Sequence, residues 1–470
     1  MPMGYVLPHL LAMLGFALAL FLVARMVRED RHPGSKMAWI AVMLLVPYLG
    51  VPLYLMFGGR KIRRMASRKT GLPPARTEPC PREGRRPTPV ERILVSGGGA
   101  PARSGHQVRL VGSGTEAWEA LLDQIDRAEH SILVTTFILG RDPIGRAFVD
   151  RLAARAREGV QVNLLLDALG CFRTSRRFVQ PLRDAGGHVG RFMPVLPFHP
   201  RGNATLRNHR KLMIFDGRRA FTGGMNIGCE YLGPPTQDLW ADAGILFEGP
   251  AVLDCYEVFA SDWYFTTGEI LPELPPGGCR LDALRVEKQG GGARLQAVAS
   301  GPDVPGDPLY EAMLAAIVNA TNRIWLVTPY FIPDEPLLRL LELKARMGTD
   351  VRLLVPARSN HLIADLARGN ALRRLVASQV GVFAYGPRML HTKLVVVDDN
   401  LAIAGSGNLD IRSFHLNYEL SIFLSSAAEV ELVARHIEDL LHDCTEIRSW
   451  RVGRVRGWAE DLAGLLSPLL

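Results

Sequence analysis

The chain reads His209-Arg-Lys-Leu-Met-Ile-Phe-Asp216 in its first half and His391-Thr-Lys-Leu-Val-Val-Val-Asp398 in its second. Six residues after each stretch, a second pattern is repeated as Gly223-Gly-Met-Asn226 and Gly405-Ser-Gly-Asn408. A single short pattern of this kind arises by chance, but the extended pattern does not arise twice at matched places. The sequence therefore predicts two repeated halves that each contribute residues to a functional site.

The segments that precede the two motifs repeat one another as well. Apolar runs at 131–138 and 324–332 alternate with helical stretches in the same order in both halves. This alternation is typical of α/β domains whose sheets are largely buried. We expect a first domain at 107–267, a connecting loop at 268–292 and a second domain at 293–470.

The first 69 residues are predicted to be a membrane anchor with two transmembrane helices. Residues 1–24 and 37–59 contain no Asp, Glu, Lys or Arg, and each run is long enough to cross a bilayer as a helix. A cleaved signal peptide is the alternative for the first run. A re-entrant hairpin is the alternative for the second, which contains two prolines. Residues 70–106, rich in Pro, Gly and Arg, are predicted to be a linker.

The net charge of +8 is unevenly distributed along the chain. Residues 1–110 carry 17 Lys/Arg and 5 Asp/Glu, which gives +12 and leaves −4 for the remainder. A domain that binds nucleic acid through phosphates concentrates its basic residues on the folded body, so no nucleic-acid partner is expected. The basic residues instead flank the two membrane segments, where they weakly favour a cytoplasmic body and attract anionic headgroups.

Each motif is predicted to place an imidazole beside an ammonium group. The apolar run after each lysine is expected to be a buried strand, and side chains two residues apart project from the same face. Two such pairs, brought together around a pseudo-twofold axis, suit a phosphodiester: lysines bind its non-bridging oxygens, one histidine attacks phosphorus and the other transfers a proton. The candidate catalytic set consists of the motif residues His209, Lys211, Asp216, His391, Lys393 and Asp398.

The remaining polar positions of the motifs are expected to support the site. Asp216 and Asp398 each follow a strand, where an aspartate commonly accepts turn hydrogen bonds, so a structural role is favoured for both. Asn226, Ser406 and Asn408 are expected to form hydrogen bonds at the site. No metal or other cofactor is predicted, because the cysteines and the remaining histidines lack ligand spacing.

These residues resemble the duplicated motif of the phospholipase D superfamily and, within it, the bacterial cardiolipin synthases. The similarity covers nearly the whole chain and extends to Glu230-Tyr-Leu-Gly and to the run Asn408-Leu-Asp-Ile-Arg-Ser-Phe, which leads to Asn417-Tyr-Glu419. The resemblance implies two tandem phospholipase D-like α/β domains, related by pseudo-twofold symmetry and preceded by the two transmembrane helices. It also implies a multi-pass protein of the bacterial inner membrane.

The resemblance implies a reaction and a role for each residue. His209 attacks the phosphorus of phosphatidylglycerol to form a phosphohistidine, and His391 protonates the departing glycerol and then deprotonates a second phosphatidylglycerol. Lys211 and Lys393 hold the phosphate. An acidic residue orients each histidine, Asp242 in the first half and Glu419 in the second. The expected partners are phosphatidylglycerol and other membrane phospholipids.

Three alternatives remain open on the sequence. A phospholipase D-type hydrolase or transphosphatidylase would use the same residues with another donor or acceptor, such as phosphatidylethanolamine. A nuclease of the superfamily is disfavoured by the slightly acidic body. An inactive lipid-binding scaffold is disfavoured because both His-Lys pairs are intact. The sequence leaves the oligomeric state, the acyl-chain preference and the identity of the second lipid open.

Overall fold

A computed structural model gives the architecture of most of the chain. It describes residues 3–27, 33–46, 48, 50–51, 54, 69, 87–194, 206–236, 238–272, 292–304, 306–449 and 452–465.

The seven strands described in the first half each have a counterpart in the second half. Those of the first half are β1 (Arg103–Val111), β2 (Ser131–Thr136), β3 (Gln161–Asp167), β4 (His188–Phe192), β5 (Leu212–Phe215), β6 (Arg219–Gly223) and β7 (Gly244–Glu248). Those of the second half are β8 (Ala293–Ser300), β9 (Arg323–Val327), β10 (Phe331–Ile332), β11 (Asp350–Pro356), β12 (Gly381–Tyr385), β13 (Leu394–Val397), β14 (Leu401–Gly405), β15 (Leu409–Asp410), β16 (Glu419–Leu424) and β17 (Cys444–Glu446).

In the described part of the chain, 15 strands form one mixed sheet, and β10 and β15 form a separate parallel pair. The order across the first half is β4-β3-β2-β5-β6-β7-β1, and the second half continues as β8-β16-β14-β13-β9-β11-β12-β17. Strands β2, β3 and β4 run parallel, as do β9, β11 and β12. The halves meet where β1 pairs antiparallel with β8. The equivalent orders on either side of this junction agree with the predicted repeat.

Helices cover both faces of the sheet. They are α1 (Met3–Val27), α2 (Pro33–Leu45), α3 (Pro89–Ser96), α4 (Gly114–Arg127), α5 (Pro143–Arg157), α6 (Gln180–Asp184), α7 (Ala251–Thr267), α8 (Pro308–Asn319), α9 (Glu335–Arg346), α10 (Leu362–Ala367), α11 (Gly369–Ala377), α12 (Ile411–His415), α13 (Ala427–His442) and α14 (Arg454–Leu465). The equivalent helices α5 and α9 begin in the same way, because Asp142 and Asp334 each accept a hydrogen bond from a backbone amide of the first turn.

The apolar strands divide their side chains between separate cores. In β2, Ile132 and Val134 pack on the side of α4 and α5, whereas Leu133 faces a core that includes residues of α7. Side chains alternate along a strand, so a continuous apolar run indicates a sheet buried on both faces. The core on the side of Leu133 contains residues of both halves, including Leu295 and Ile422 of the second. This shared core holds the two halves in a fixed relation.

The structure differs from the predicted linker in its last part. Residues 89–96 form α3, where the Thr88 hydroxyl accepts from the Glu91 amide and the Glu91 carboxylate accepts from the Thr88 amide. This capping box satisfies two amides that a helix start leaves without partners. Val90 and Leu94 of α3 are buried in the core of the second half with residues of α8. Strand β1 also begins earlier than the predicted domain boundary. Residues 70–86 lie outside the described part.

The two predicted membrane segments correspond to α1 and, in part, to α2. Residues of both helices share a small apolar cluster with Val51 and Tyr54, in which the rings of Trp39 and Tyr54 meet edge to face at 5.5 Å. Among the residues that the structure describes, no helix combines the length and apolar character needed to cross a bilayer.

Candidate active site

The backbone of each histidine motif is bound to the opposite half of the protein. The His209 amide donates to the Tyr418 carbonyl at 2.9 Å, and the His391 amide donates to the Ala241 carbonyl at 2.7 Å. Tyr418 and Ala241 each immediately precede a candidate orienting acid, Glu419 or Asp242. The two contacts therefore bring each motif against the acidic segment of the other half.

The carboxylates consequently pair with the histidines across the two halves. His209 Nδ1 lies 2.9 Å from Glu419 Oε1, and His391 Nδ1 lies 2.6 Å from Asp242 Oδ2. The expected pairing within each half, Asp242 with His209 and Glu419 with His391, is wrong. The backbone contacts next to each acid, which local sequence spacing does not reveal, select the partner from the opposite half.

Glu419 is held as a carboxylate by a set of donors. The hydroxyls of Ser406 and Ser413 donate to it at 2.5 and 3.0 Å, and Asn417 Nδ2 donates at 3.3 Å. Burial alone would raise the pKa of Glu419, but the interaction with His209, the Lys211 charge and the Ser406 hydrogen bond hold it below the ordinary value. The Nδ1–H of a neutral His209 is the donor that matches an ionised Glu419.

Asp242 has a different environment, although it occupies the equivalent position. Its Oδ1 accepts from the Ala243 amide at 2.8 Å, and burial raises its pKa to about 7. The position equivalent to Ser406 is Gly224, where a Cβ atom would lie 2.2 Å from Asp242 Oδ1. The glycine therefore makes room for the Asp242 carboxylate, whereas the serine supplies a donor to Glu419. Near neutral pH the two acids differ in protonation.

Both histidines and both lysines lie in one buried site. Burial lowers the pKa of His209 to about 4, and burial together with the Lys393 and Lys211 charges lowers that of His391 well below its usual range. Lys393 also acts on His209, so each histidine senses the lysine of the opposite half. Burial lowers the pKa of Lys211 to about 7 and that of Lys393 to about 8. The imidazoles are thus neutral, and a bound anion would favour the charged lysines.

Each ammonium group lies close to its own histidine. Lys211 Nζ donates to the His209 carbonyl at 2.7 Å, and Lys393 Nζ lies 3.0 Å from His391 Nδ1 and contacts the His391 carbonyl. This arrangement agrees with the prediction that His and Lys two residues apart project together. It leaves a cluster of donors around the histidine rings that suits a phosphate group.

Aromatic rings surround the two histidines. The ring centroid of Phe137 lies 4.9 Å from that of His209, and those of Tyr231 and Trp240 lie 5.2 and 5.4 Å from that of His391. Sequence reasoning missed these neighbours, although Trp240 stands two residues before Asp242. The rings contribute to the low exposure that shifts the histidine pKa values.

The motif aspartates Asp216 and Asp398 bind backbone amides rather than the histidines. Asp216 accepts from the Glu129, His130 and Ser131 amides at 2.7–2.9 Å. Asp398 accepts from the Thr321, Asn322 and Arg323 amides, and these bonds outweigh burial and lower its pKa. Both residues have a positive φ of about 50°, which aspartate tolerates better than most residues. They fix strand ends and lie outside the catalytic cluster.

The other predicted polar residues support loops beside the site. Asn226 Oδ1 accepts from the Ile138 amide at 3.1 Å, next to Phe137. The backbone N–H of Asn408 donates to Ser413 Oγ at 3.1 Å, which places this loop beside Glu419. Across the described ranges, no three His, Cys, Asp or Glu side chains converge in a group that could hold a metal ion.

A buried ionic cluster lies behind the first motif, and sequence reasoning missed it. Arg210, between the motif His and Lys, binds both oxygens of Asp262 at 2.7 and 2.8 Å. Lys69 Nζ lies 2.5 Å from Asp262 Oδ1 and 2.8 Å from Asp303 Oδ2, and 4.4 Å from the centroid of the Tyr418 ring. Asp262 belongs to the first half and Asp303 to the second. Lys69 therefore joins both halves next to the residue that precedes Glu419.

Comparison with known proteins identifies the family. The family model described as "Cardiolipin synthase, PLD-like domain" matches residues 121–263 and 313–441, and each match contains one motif. The chain belongs to the cardiolipin synthase family. The resemblance inferred from the motifs is thereby confirmed. A second model, "Phospholipase_D-nuclease N-terminal", matches residues 17–59.

Relatives in this family are similar over almost their whole length. A cardiolipin synthase of Geobacillus kaustophilus is 35% identical over 94% of this chain and 90% of its own. Cardiolipin synthase A of Pseudomonas putida is 33% identical over 99% of this chain and 98% of its own. A solved structure, the phosphatidylserine synthase of Haemophilus influenzae, superimposes with a TM-score of 0.60 at 16% identity, over 82% of this chain and 100% of that one. This last similarity shows a shared fold.

Proposed function

We propose that the protein transfers a phosphatidyl group from one phosphatidylglycerol to another, giving cardiolipin and glycerol through a covalent phosphohistidine. The observation that carries the proposal is the pair of neutral histidines, each hydrogen-bonded to a carboxylate of the opposite half and accompanied by a lysine. Membership of the cardiolipin synthase family supports the choice of substrates.

His209 is the proposed nucleophile. Its Nδ1–H donates to the ionised Glu419, which leaves a lone pair on Nε2 to attack phosphorus. In this step the Nε2–phosphorus bond forms and the bond from phosphorus to the glycerol headgroup oxygen breaks. The hydrogen bond to Glu419 stabilises the positive charge that develops on the imidazole. Because Glu419 is ionised and His209 is neutral at neutral pH, this assistance is available there.

His391 and Asp242 together are the proposed general acid. Asp242 has a pKa of about 7, so the pair holds a proton between Oδ2 and Nδ1 at near-neutral pH. The Nε2–H of His391 protonates the departing glycerol oxygen while the Asp242 proton passes to Nδ1. In the second step the direction reverses: His391 takes the proton from the hydroxyl of the second phosphatidylglycerol, whose oxygen attacks phosphorus and releases His209.

Lys211 and Lys393 bind the non-bridging phosphate oxygens in this scheme. Their burial destabilises the free ammonium groups, and a phosphodiester anion between them restores the charged form. Negative charge that builds on phosphorus during transfer is then met by cations already in place. The buried setting also limits water, which would otherwise hydrolyse the phosphohistidine to phosphatidic acid.

The N-terminal region is proposed to attach the protein to the bacterial inner membrane as a multi-pass anchor. The charge-free runs 1–24 and 37–59 and the match of residues 17–59 to an N-terminal family model support this assignment. Lysines and arginines after the second run favour a body on the cytoplasmic side. An anchor of this kind would keep the site beside its lipid substrates.

The test is to incubate membranes that contain the full chain with labelled phosphatidylglycerol and EDTA, and to separate the lipid products. We expect cardiolipin and free glycerol from the wild type and neither from His209→Ala, because the proposed chemistry uses no metal. Phosphatidic acid alone would identify a hydrolase instead. Labelled phosphatidylethanolamine in a parallel reaction identifies a different donor or acceptor. Absence of product from phosphatidylglycerol would contradict the proposal.

The pKa values predict a bell-shaped dependence of kcat/KM on pH. Below about 4, His209 becomes protonated and loses the lone pair that attacks phosphorus. Above about 7, Asp242 loses the proton that the leaving glycerol requires, and Lys211 begins to lose its charge. We expect a plateau between these limits, measured with short-chain phosphatidylglycerol in mixed micelles. A rate that increases from pH 7 to pH 9 would contradict the proton assignments.

A further inference from the structure

Two equivalent loops at the site carry exposed apolar side chains. The first loop follows β3 and contains Phe172, which is 68% exposed; the second follows β11 and leads to Leu362 and Ile363, which are 74% and 50% exposed. Apolar side chains of this size are normally buried, and their occurrence at equivalent places in the two halves is not scattered surface exposure.

Each loop contacts an aromatic residue whose ring lies beside a catalytic histidine. In the first half, Cys171 Sγ donates to the Phe137 carbonyl at 3.2 Å, and the Phe137 ring packs against His209. In the second half, the Tyr330 hydroxyl donates to Asn360 Oδ1 at 2.5 Å, and the Tyr330 ring centroid lies 6.5 Å from that of His391. The exposed side chains therefore stand at the rim of the site.

The C-terminal helix α14 extends this surface beside the second loop. Its Ala463 is buried against Ala364 and Ala367 of α10, and Glu460 forms ion pairs with Arg456 and Arg373. The opposite side of α14 is apolar and exposed, because positions three and four residues apart share a helix face. Together the rim face consists of Phe172, Leu362, Ile363, Val455, Trp458 and Leu462.

The loops of the rim face are basic as well as apolar. Residues 168–180 contain three arginines and no acidic residue, and residues 357–363 contain Arg358 and no acidic residue. The guanidinium of Arg173 lies 5.4 Å from the centroid of the Phe172 ring, and Arg176 and Arg177 are exposed. Apolar side chains that enter the acyl region, flanked by arginines at headgroup level, are the pattern of an interfacial membrane contact.

We propose that the rim face docks on the surface of an anionic phospholipid bilayer and holds the mouth of the site at the headgroups. This inference rests on the proposed function, because a lipid substrate must leave the bilayer at the place where the reacting phosphate enters the site. The two loops contact the bilayer on either side of that mouth. Docking then removes the need for the lipid tails to cross water.

The test compares two substrates of the full chain reconstituted in phosphatidylglycerol–phosphatidylcholine vesicles. One is long-chain phosphatidylglycerol in the bilayer, and the other is dihexanoyl phosphatidylglycerol, supplied as a water-soluble monomer. In the variant Phe172→Ser/Leu362→Ser/Ile363→Ser, we expect turnover of the long-chain lipid to fall by about tenfold or more, since withdrawal of even one such side chain from the bilayer accounts for about that factor. Turnover of the soluble lipid should be unchanged.

A control lies at the opposite ends of the strands, before β9 and β11. Met347 precedes β11 and is 74% exposed, and Val318 near the end of α8 is 53% exposed. The variant Met347→Ser/Val318→Ser removes exposed apolar side chains outside the rim face and should leave both activities unchanged. Replacing Arg173, Arg176 and Arg177 with glutamate should also lower turnover of the long-chain lipid, and the loss should increase when phosphatidylserine is added to the vesicles.

Each outcome has a distinct meaning. If the wild type turns over neither lipid, the proposed function is wrong, and with it the reason for a docking surface. If the wild type is active and the triple variant keeps full long-chain turnover, the docking surface alone is wrong. Equal loss of both activities would place the residues in the reacting site or in folding. A changed oligomeric state of the variant in detergent would assign the face to a second copy of the chain.

Discussion

Replacing His209 with asparagine is expected to lower turnover of phosphatidylglycerol by about 10⁴-fold or more, because no covalent intermediate can form without the nucleophile. Replacing His391 with asparagine should lower it by about 10²–10⁴-fold, the usual contribution of a general acid–base group. The two variants can be distinguished with a phosphodiester whose leaving group is p-nitrophenolate, because this group departs without protonation. With that phosphodiester, His391→Asn should regain formation of the covalent intermediate, whereas His209→Asn should not.

The measurement is the burst of p-nitrophenol, followed by denaturation at alkaline pH, which preserves the acid-labile N–P bond, and location of the labelled phosphate. In His391→Asn the label should accumulate on His209, because the second step still lacks its base. His188 is exposed at the start of β4, and His188→Asn serves as the matched control that should retain wild-type turnover. A burst in His209→Asn with label on His391 would reverse the assignment of the two histidines.

Variants of the two carboxylates should differ in their kinetic effects, because each acid is hydrogen-bonded to the histidine of the opposite half. Glu419→Gln removes the charge that stabilises the His209 imidazolium, so it should slow the p-nitrophenyl substrate and phosphatidylglycerol alike, by about 10²–10⁴-fold. Asp242→Asn removes the carboxyl group that supplies a proton to His391. It should lower turnover of phosphatidylglycerol by a similar factor, with little effect on the burst with the p-nitrophenyl substrate. Each acid should thus reproduce the behaviour of the histidine in the other half.

Double-mutant cycles provide the control for this division. The effects of Glu419→Gln and His209→Asn should be strongly non-additive, because the two residues act as one unit. Ser406→Gly removes a donor to Glu419 without touching a histidine, and it should raise the pKa of Glu419 and reproduce part of the loss. Coupling of Glu419 with His391, in place of His209, would contradict the crossed arrangement.

The repeat and the composition of the site could be predicted from the sequence because both depend on local pattern. Alternation of apolar runs and helical stretches indicates strands covered on both faces, and a His and Lys two residues apart in extended chain project to the same side. The observed strand orders agree with the predicted repeat, and Lys211 and Lys393 lie beside their own histidines. The family inferred from the motifs is also confirmed.

The crossed carboxylates and the ionic cluster depend on contacts between distant segments. Spacing within one half indicates that an acid follows each histidine, but not which histidine it meets once the halves associate. The backbone bonds to Tyr418 and Ala241 decide this, and they involve no distinctive side chain. Helix α3 is a different case, because its signal, Thr88-x-x-Glu91, was present in the sequence within a proline-rich stretch. The proline-rich composition of this segment predicts a linker, whereas its capping pattern correctly indicates the start of a helix.

The burial of Lys69 between Asp262 and Asp303 also sets the length of a tether. Lys69 stands ten positions after Gly59, the end of the proposed second membrane segment. A chain of that length reaches at most about 35 Å when fully extended, so the proposed anchor would keep the buried ionic cluster behind His209 within that distance of the bilayer. This upper distance depends only on the segment between Gly59 and Lys69, because Lys69 is already held in the catalytic body. With the proposed anchor in the bilayer, the catalytic body would be confined to a shallow layer beside the membrane, and its search for lipid would be restricted to the membrane plane.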